Sequence, residues 1–146
     1  MSKHVPLISS GTKGPMGVLH LPRLWQKVSL ECVGKLADGY PGIGKGYDMM
    51  VINALGLKAE EVHNFIKSHK PTYPQFEAWV KKHAQHQTRG DIHKLNVSIA
   101  GYIHADDTRH GILKANGLAD DGSVLPDAIN LNNLDDWHEF HQAVLK

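Results

Sequence analysis

Four cations, Arg23, Lys27, Lys35 and Lys45, surround a stretch in which the glycine-rich run Gly42-Ile43-Gly44-Lys45-Gly46 leads into Tyr47 and Asp48. Free backbone N–H groups at a helix start, with cations close by, suit a phosphate or a carboxylate. Arginine offers a planar two-donor fork, and lysine a compact charge that can serve as base or Schiff-base nucleophile once desolvated. Arg23 and Lys27 are one helical turn apart, so one helix face presents both as a carboxylate clamp. A solvated face, or a bridge from Lys27 to Glu31, is the plainer reading of the same spacing. His20 precedes this helix, at the mouth of the expected site, as an acid/base group or only as cover for the helix end. Tyr40 and Tyr47 flank the loop. Asp48 either caps the second helix or orients a Tyr or Lys for proton transfer. Gly44 and Gly46 permit close backbone approach to a ligand. A nucleotide loop is disfavoured, because no strand precedes the glycines and neither Ser nor Thr follows Lys45. A tight turn between helices would need the same glycines.

The chain has 11 histidines, which raises a second chemistry. His83/His86 and His138/His141 are each i,i+3, a spacing that puts two imidazoles on one helix face. His138 and His141, joined by His104 and His110 and by Asp106 or Asp107, would be the ligand set of a divalent metal. The run His138-Glu139-Phe140-His141 is not the zinc-protease pattern, in which the histidines are i,i+4. Without a recognised cofactor motif, the default expectation is no cofactor. The single cysteine, Cys32, excludes an intrachain disulfide and a multi-thiolate metal site. It falls on an apolar stripe, which predicts a buried, inert thiol.

Positioning these groups falls to helices. A chain of 146 residues, 41% apolar and 21% charged, is most simply one domain with a real core. Residues 1–20, rich in Gly, Pro and Ser, read as an extended arm packed through Val5, Leu7, Ile8, Met16, Val18 and Leu19; residues 21–146 form the helical body. The first helix is expected from Pro22 to about Leu36, with Leu24, Trp25, Val28, Cys32 and Leu36 as its core stripe. Further helices are expected at about Tyr47–Leu55, ended by Gly56, and at Ala59–Ser68. Thr72 with Gln75 and Thr88 with Asp91 read as capping boxes, the second opening a helix through about Ile103. Asp106 or Asp107 caps a sixth helix. Asn133 with Asp136 reads as a third capping box, opening the last helix, and Asp135 and Asp136 would serve that start. No run alternates like a strand. The expectation is an all-α fold, an irregular bundle of about six or seven short helices.

Three segments, LPRLWQKVSLECVGKL, GYPGIGKGYD and LNNLDDWHEF, together with the ALGL turn and EAWV, resemble an uncharacterised bacterial family of domains of unknown function. The resemblance runs from about Gly14 to Phe140. It rests on Leu21, Pro22, Arg23, Lys27, Gly34, Tyr40, Asp48, Trp79, Asp135 and Asp136, and implies a small α-helical domain without an established activity. Lys45 and Tyr47 depart from the pattern, as do His104, His110, His138 and His141, which implies a specialised subgroup.

The net charge of +1, with no basic run beyond two residues, gives no general attraction to nucleic acid. No apolar run approaches the roughly 18 residues of a membrane span, and the N-terminus lacks a signal-like apolar core, so the expected location is the cytoplasm. The expected partner is a small anionic metabolite, with the oligomeric state left open. The leading expectation is a cofactor-independent enzyme that moves a proton on a hydroxy or oxo acid, as a lyase, isomerase or decarboxylase. Arg23 would hold the carboxylate, Lys27 or His20 would move the proton, and Tyr40, Tyr47 and Lys45 would steady an oxyanion. The alternatives are a non-catalytic module for a small anion or a partner protein, and a histidine-rich metal-binding protein.

Overall fold

A computed structural model describes residues 2–146 of the chain. These residues form an all-α bundle of seven helices: α1 Leu21–Cys32, α2 Tyr47–Leu55, α3 Ala59–His69, α4 Tyr73–His83, α5 Arg89–Ala100, α6 Asp106–Ala115 and α7 Ala128–Phe140. A π-helical turn, His141–Leu145, continues α7. β-type pairing is limited, among the described residues, to single-residue bridges. None of the described helices is long and apolar enough to cross a membrane.

The locally encoded ends fall where expected. Thr72 and Thr88 each accept from the N–H three residues on, while Gln75 and Asp91 reach back to the capping N–H groups. Gly56 closes α2 in the left-handed conformation, with Leu57 N–H bonded to Ile52 C=O at 2.9 Å.

Four ends differ from the sequence expectation. α6 starts at Asp106 with Ala105 at its cap position and no side-chain cap, so Asp106 and Asp107 sit inside its first turn instead of capping it. α1 stops at Cys32, because Gly34 turns left-handed (φ 71°) and Lys35 N–H closes back on Leu30 C=O. That turn frees Lys35 and Ala37 to pair with His4 of the arm. α5 stops at Ala100, since the following residues find backbone partners elsewhere: Ile103 bridges to Asp127, and Ala128 N–H donates to Tyr102 C=O. α7 starts at Ala128, five residues before the expected Asn133, with the Asp127 carboxylate accepting from Asn130 N–H. Asp136 therefore belongs to the middle of α7 and is buried. The expected Asn133–Asp136 capping box does not form.

The core lies where α1 meets α2, α3 and α4, and where α2 packs on α5. Leu21, Leu24, Val28, Val51, Ile52, Val62, Phe76, Val80 and Ile99 are fully enclosed there. The arm folds back onto this body: Val18 is buried, although Leu7, an expected anchor, is exposed. A turn at Gly17 (φ 83°) lets His20 N–H donate to Thr12 C=O, and Asn96 of α5 clamps the turn by bonding both Leu19 N–H and Gly17 C=O. This loop sets Ser10 beside His20.

Candidate functional site

His20, Arg23 and Lys27 follow the i, i+3, i+7 spacing of one helix face, and all three are buried. They feed two hydrogen-bonded clusters centred on different carboxylates.

The first cluster centres on Asp136 of α7. Arg23 Nη1 and Nη2 donate to its two oxygens at 2.7 and 3.0 Å, a fork-to-carboxylate pair. Nη1 also donates to the carbonyls of Pro6 and Ile8 in the arm. Tyr40 OH donates to Asp136 Oδ1 at 3.0 Å. Burial pushes the Asp136 carboxyl above its ordinary range, against the pull of Arg23 and Tyr40. The Tyr40 phenol is pushed up by burial and by the Asp136 charge, so it stays protonated. The carboxylate that Arg23 clamps is thus the protein's own, and the cluster ties together the arm, α1, the loop after α1, and α7. Asp136, expected to serve a helix start, is the anchor of this knot.

The second cluster centres on Asp48, in the first turn of α2. Lys27 Nζ donates to Oδ2 at 2.5 Å, Gly44 N–H donates to Oδ2 at 2.8 Å, and His20 Nε2 lies 2.6 Å from Oδ1. Burial would raise this carboxyl, but the His20 hydrogen bond and the Lys27 charge outweigh it and hold Asp48 below its ordinary range. His20 is lowered chiefly by burial, with Asp48 pulling the other way. A neutral imidazole follows: Nε2–H donates to Asp48, and Nδ1, 2.9 Å from Ser10 Oγ, accepts the Ser10 hydroxyl. His20 keeps a left-handed backbone (φ 72°), a strained conformation for a non-glycine residue. Three donors on an ionised Asp48 and two partners on the imidazole hold it there.

Ser10–His20–Asp48 has the connectivity of a nucleophilic triad. Ser10 is 1% exposed and does not line the cavity described below, so its hydroxyl has no route to a substrate carbonyl. Ser10 orients His20.

The Asp48 cluster opens onto a cavity of about 320 Å³ lined by His20, Arg23, Lys27, Lys45, Asp48 and His104, among others. Its size is at the low end for small-molecule sites. Lys27 makes one hydrogen bond among the described residues, leaving two N–H donors of its ammonium. Lys45 is exposed at the rim. Tyr47 and Tyr102 line the cavity with ring centroids 5.6 Å apart, in edge contact. Tyr47 OH donates to Ile99 C=O at 2.6 Å, and burial raises its pKa. Tyr40 lies outside, in a separate depression with Lys3 and Glu31.

The glycine loop serves the protein's own carboxylates. Gly42 N–H donates to Glu31 Oε2 at 3.0 Å and Gly44 N–H to Asp48. A Cβ at residue 42 would lie 2.3 Å from Glu31 Oε1, so glycine permits this approach. Two amides that a phosphate cradle would use are therefore engaged.

The histidines expected to bind metal lie in different settings. His104 Nε2 bonds Asn132 Oδ1 at 2.8 Å, His110 pairs with Asp120, and His141 is exposed. Among the described residues, no group of three or more His, Cys, Asp and Glu side chains is arranged to hold a metal ion. Cys32 is half-buried rather than buried, 3.8 Å from His63 Nε2; burial raises its thiol pKa, the opposite of activation.

Ser10, Tyr102 and Asn132 were not among the sequence candidates. Ser10 gave no periodic or motif signal. Asn132 and Asp136 share an i,i+4 face of α7, which becomes readable only once the helix start is moved to Asp127.

An all-α bundle with a lysine–aspartate–histidine chain opening onto a small cavity defines the class of protein. The chain belongs to the family of domains of unknown function DUF5069, whose model matches residues 8–127. The match includes Ser10, His20, Arg23, Lys27, Asp48 and His104 and ends before Asn132 and Asp136. No curated protein matches the chain.

Proposed function

We propose that this cavity binds a small carboxylate-bearing metabolite, such as a hydroxy or oxo acid, and moves a proton on it without a cofactor. The observation that carries the reading is Lys27: a buried ammonium, held by Asp48 through one hydrogen bond, with its remaining donors at the cavity. Arg23, Lys27 and Lys45 outnumber Asp48 and Asp136 by one charge around the cavity, which favours an anion. A carboxylate is preferred to a phosphate because the loop amides at Gly42 and Gly44 are spent. Lys27 takes over the anchoring role that the sequence suggested for Arg23. We place the activity in the cytoplasm, a reducing compartment that suits a free Cys32.

A thermal-shift series with acetate, pyruvate, malate and inorganic phosphate tests the reading. Ligands that prefer the folded state raise its melting temperature. The expected result is a rise with at least one of the carboxylates, larger than with phosphate, and absent in Lys27→Met. A flat response to every acid would overturn it.

A second reading, a binding module without catalysis, is favoured by the phenols. The protons of Tyr40 and Tyr47 are already donated within the protein, and His20 has both ring nitrogens engaged. It predicts the same thermal response with no turnover.

A further inference from the structure

The proton-transfer reading needs a base with a free lone pair at the cavity, and His20 does not offer one. His104 does. It lines the same cavity as Lys27, and its Nε2 faces the Asn132 side-chain oxygen at 2.8 Å. An amide oxygen accepts, so Nε2 carries the proton and Nδ1 is left as the lone-pair nitrogen. That Nδ1 has no hydrogen-bond partner among the described residues. The ring is half-buried and packs at 89° against Tyr102, with centroids 5.9 Å apart.

The backbone beneath it is fixed. Ile103 bridges to Asp127 and Ala128 N–H bonds Tyr102 C=O, so the segment carrying His104 is pinned to the start of α7. Asn132 stands one turn further along that helix. One helix therefore sets both the histidine's backbone and the group that selects its tautomer. Preorganisation of this kind suits a general base, and fixing the tautomer through the second nitrogen is how a protein directs the first one.

Resting on the carboxylate-site reading above, we propose that His104 is the proton-transfer residue of this cavity, that Asn132 positions it, and that the substrate is a 2-oxo acid or another acid with an acidified C–H. In the step, His104 Nδ1 takes the proton from the carbon next to the carbonyl. The C–H bond breaks, an N–H bond forms, and the electron pair moves onto the carbonyl oxygen as an enolate. The Lys27 ammonium stabilises that oxygen. The proton on His104 Nδ1 exchanges with solvent water, and delivery of that solvent proton to carbon as the carbonyl re-forms completes an exchange with no net consumption of any reactant.

The experiment follows exchange of the pyruvate methyl protons in D₂O by proton NMR, using the full chain, with the melting temperature recorded alongside. The wild type is expected to accelerate exchange. His104→Asn is expected to keep the pyruvate-induced thermal shift and to lose about 100-fold or more of the exchange rate, the scale of general-base contributions. Lys27→Met is expected to lose both. Nitrogen-15 correlation spectra of the imidazoles add a readout independent of substrate. They should show His104 as the Nε2–H tautomer, and Asn132→Ala should mix the tautomers while lowering exchange. A thermal shift without exchange in the wild type, unchanged exchange in His104→Asn, or an Nδ1–H tautomer at His104 would overturn the assignment and leave the carboxylate site standing. Absence of both shift and exchange in the wild type would remove the site as well.

Discussion

Arg23–Asp136 and Lys27–Asp48 are built from the same materials on the same face of α1, yet they differ in how they pair and in what else they tie down. Arg23 and Asp136 face each other through two parallel bonds, and further bonds tie the pair to Pro6, Ile8 and Tyr40. Lys27 and Asp48 share one bond, and the lysine keeps donors toward a cavity. The electrostatics follow. Burial wins at Asp136 and raises it, whereas donors win at Asp48 and lower it. Arginine's fork suits the closed knot; lysine's point charge suits a site that must accept a variable guest. Burial and charge alone would not separate structural from functional ion pairs here. The pairing geometry does: a two-bond fork tied to three segments against a single shared bond.

The largest expected effect is on the closed knot. Arg23→Ala should cost about 3–5 kcal/mol of stability, read by urea denaturation, because it leaves Asp136 buried without its cation. The pair Arg23→Met with Asp136→Leu should recover most of that loss, since apolar replacement of a whole buried pair is often neutral. A double variant as unstable as the single one would mean that the arm carbonyls, not the ion pair, are the main dependents of Arg23.

Lys27→Met should cost less, about 2 kcal/mol, because Asp48 keeps the His20 and Gly44 donors. A loss equal to that of Arg23→Ala would erase the distinction between the clusters.

The pH response comes next. His20 is lowered from its ordinary 6.5, so the unfolded chain binds this proton more readily. Stability from this group is complete above about pH 6.5 and falls as pH drops below it, toward the folded-state value. Asp48, also lowered, adds its own loss only when pH falls below the ordinary carboxylate value of 3.8. Asp136, raised, acts in the opposite sense: its protonation favours the folded state. Urea midpoints measured between pH 7.5 and 5 should decline more in the wild type than in His20→Asn, and equal profiles in the two proteins would remove the neutral buried His20. The smallest effect is at the loop: Gly42→Ala should cost about 1 kcal/mol by displacing the Glu31 carboxylate from the residue 42 amide.

The sequence made local features readable. The two Thr capping boxes, the Gly56 helix end and the Leu24–Val28 part of the α1 stripe depend on residues a few positions apart, and these appear in the fold. Arg23, Lys27, His20 and Asp48 were also legible as a neighbourhood, because one helix face and one loop bring them together. Partners from distant segments were not. Asp136 is 113 residues from Arg23, and Asn-x-x-Asp looked like a cap while the start of α7 was hidden in an aperiodic stretch. Ser10 meets His20 only through the turn at Gly17 that Asn96 clamps. Asn132 meets His104 only because α5 ends early and its tail runs back along α7.

Calorimetric titration of pyruvate into the wild type, Lys27→Met and the Arg23→Met/Asp136→Leu double variant asks whether the open cluster holds the ligand and the closed one the fold. The expected result is binding to the wild type, loss of binding in a Lys27→Met protein that remains folded, and retained binding in the double variant. Binding that survives in Lys27→Met but disappears in the folded double variant would contradict it.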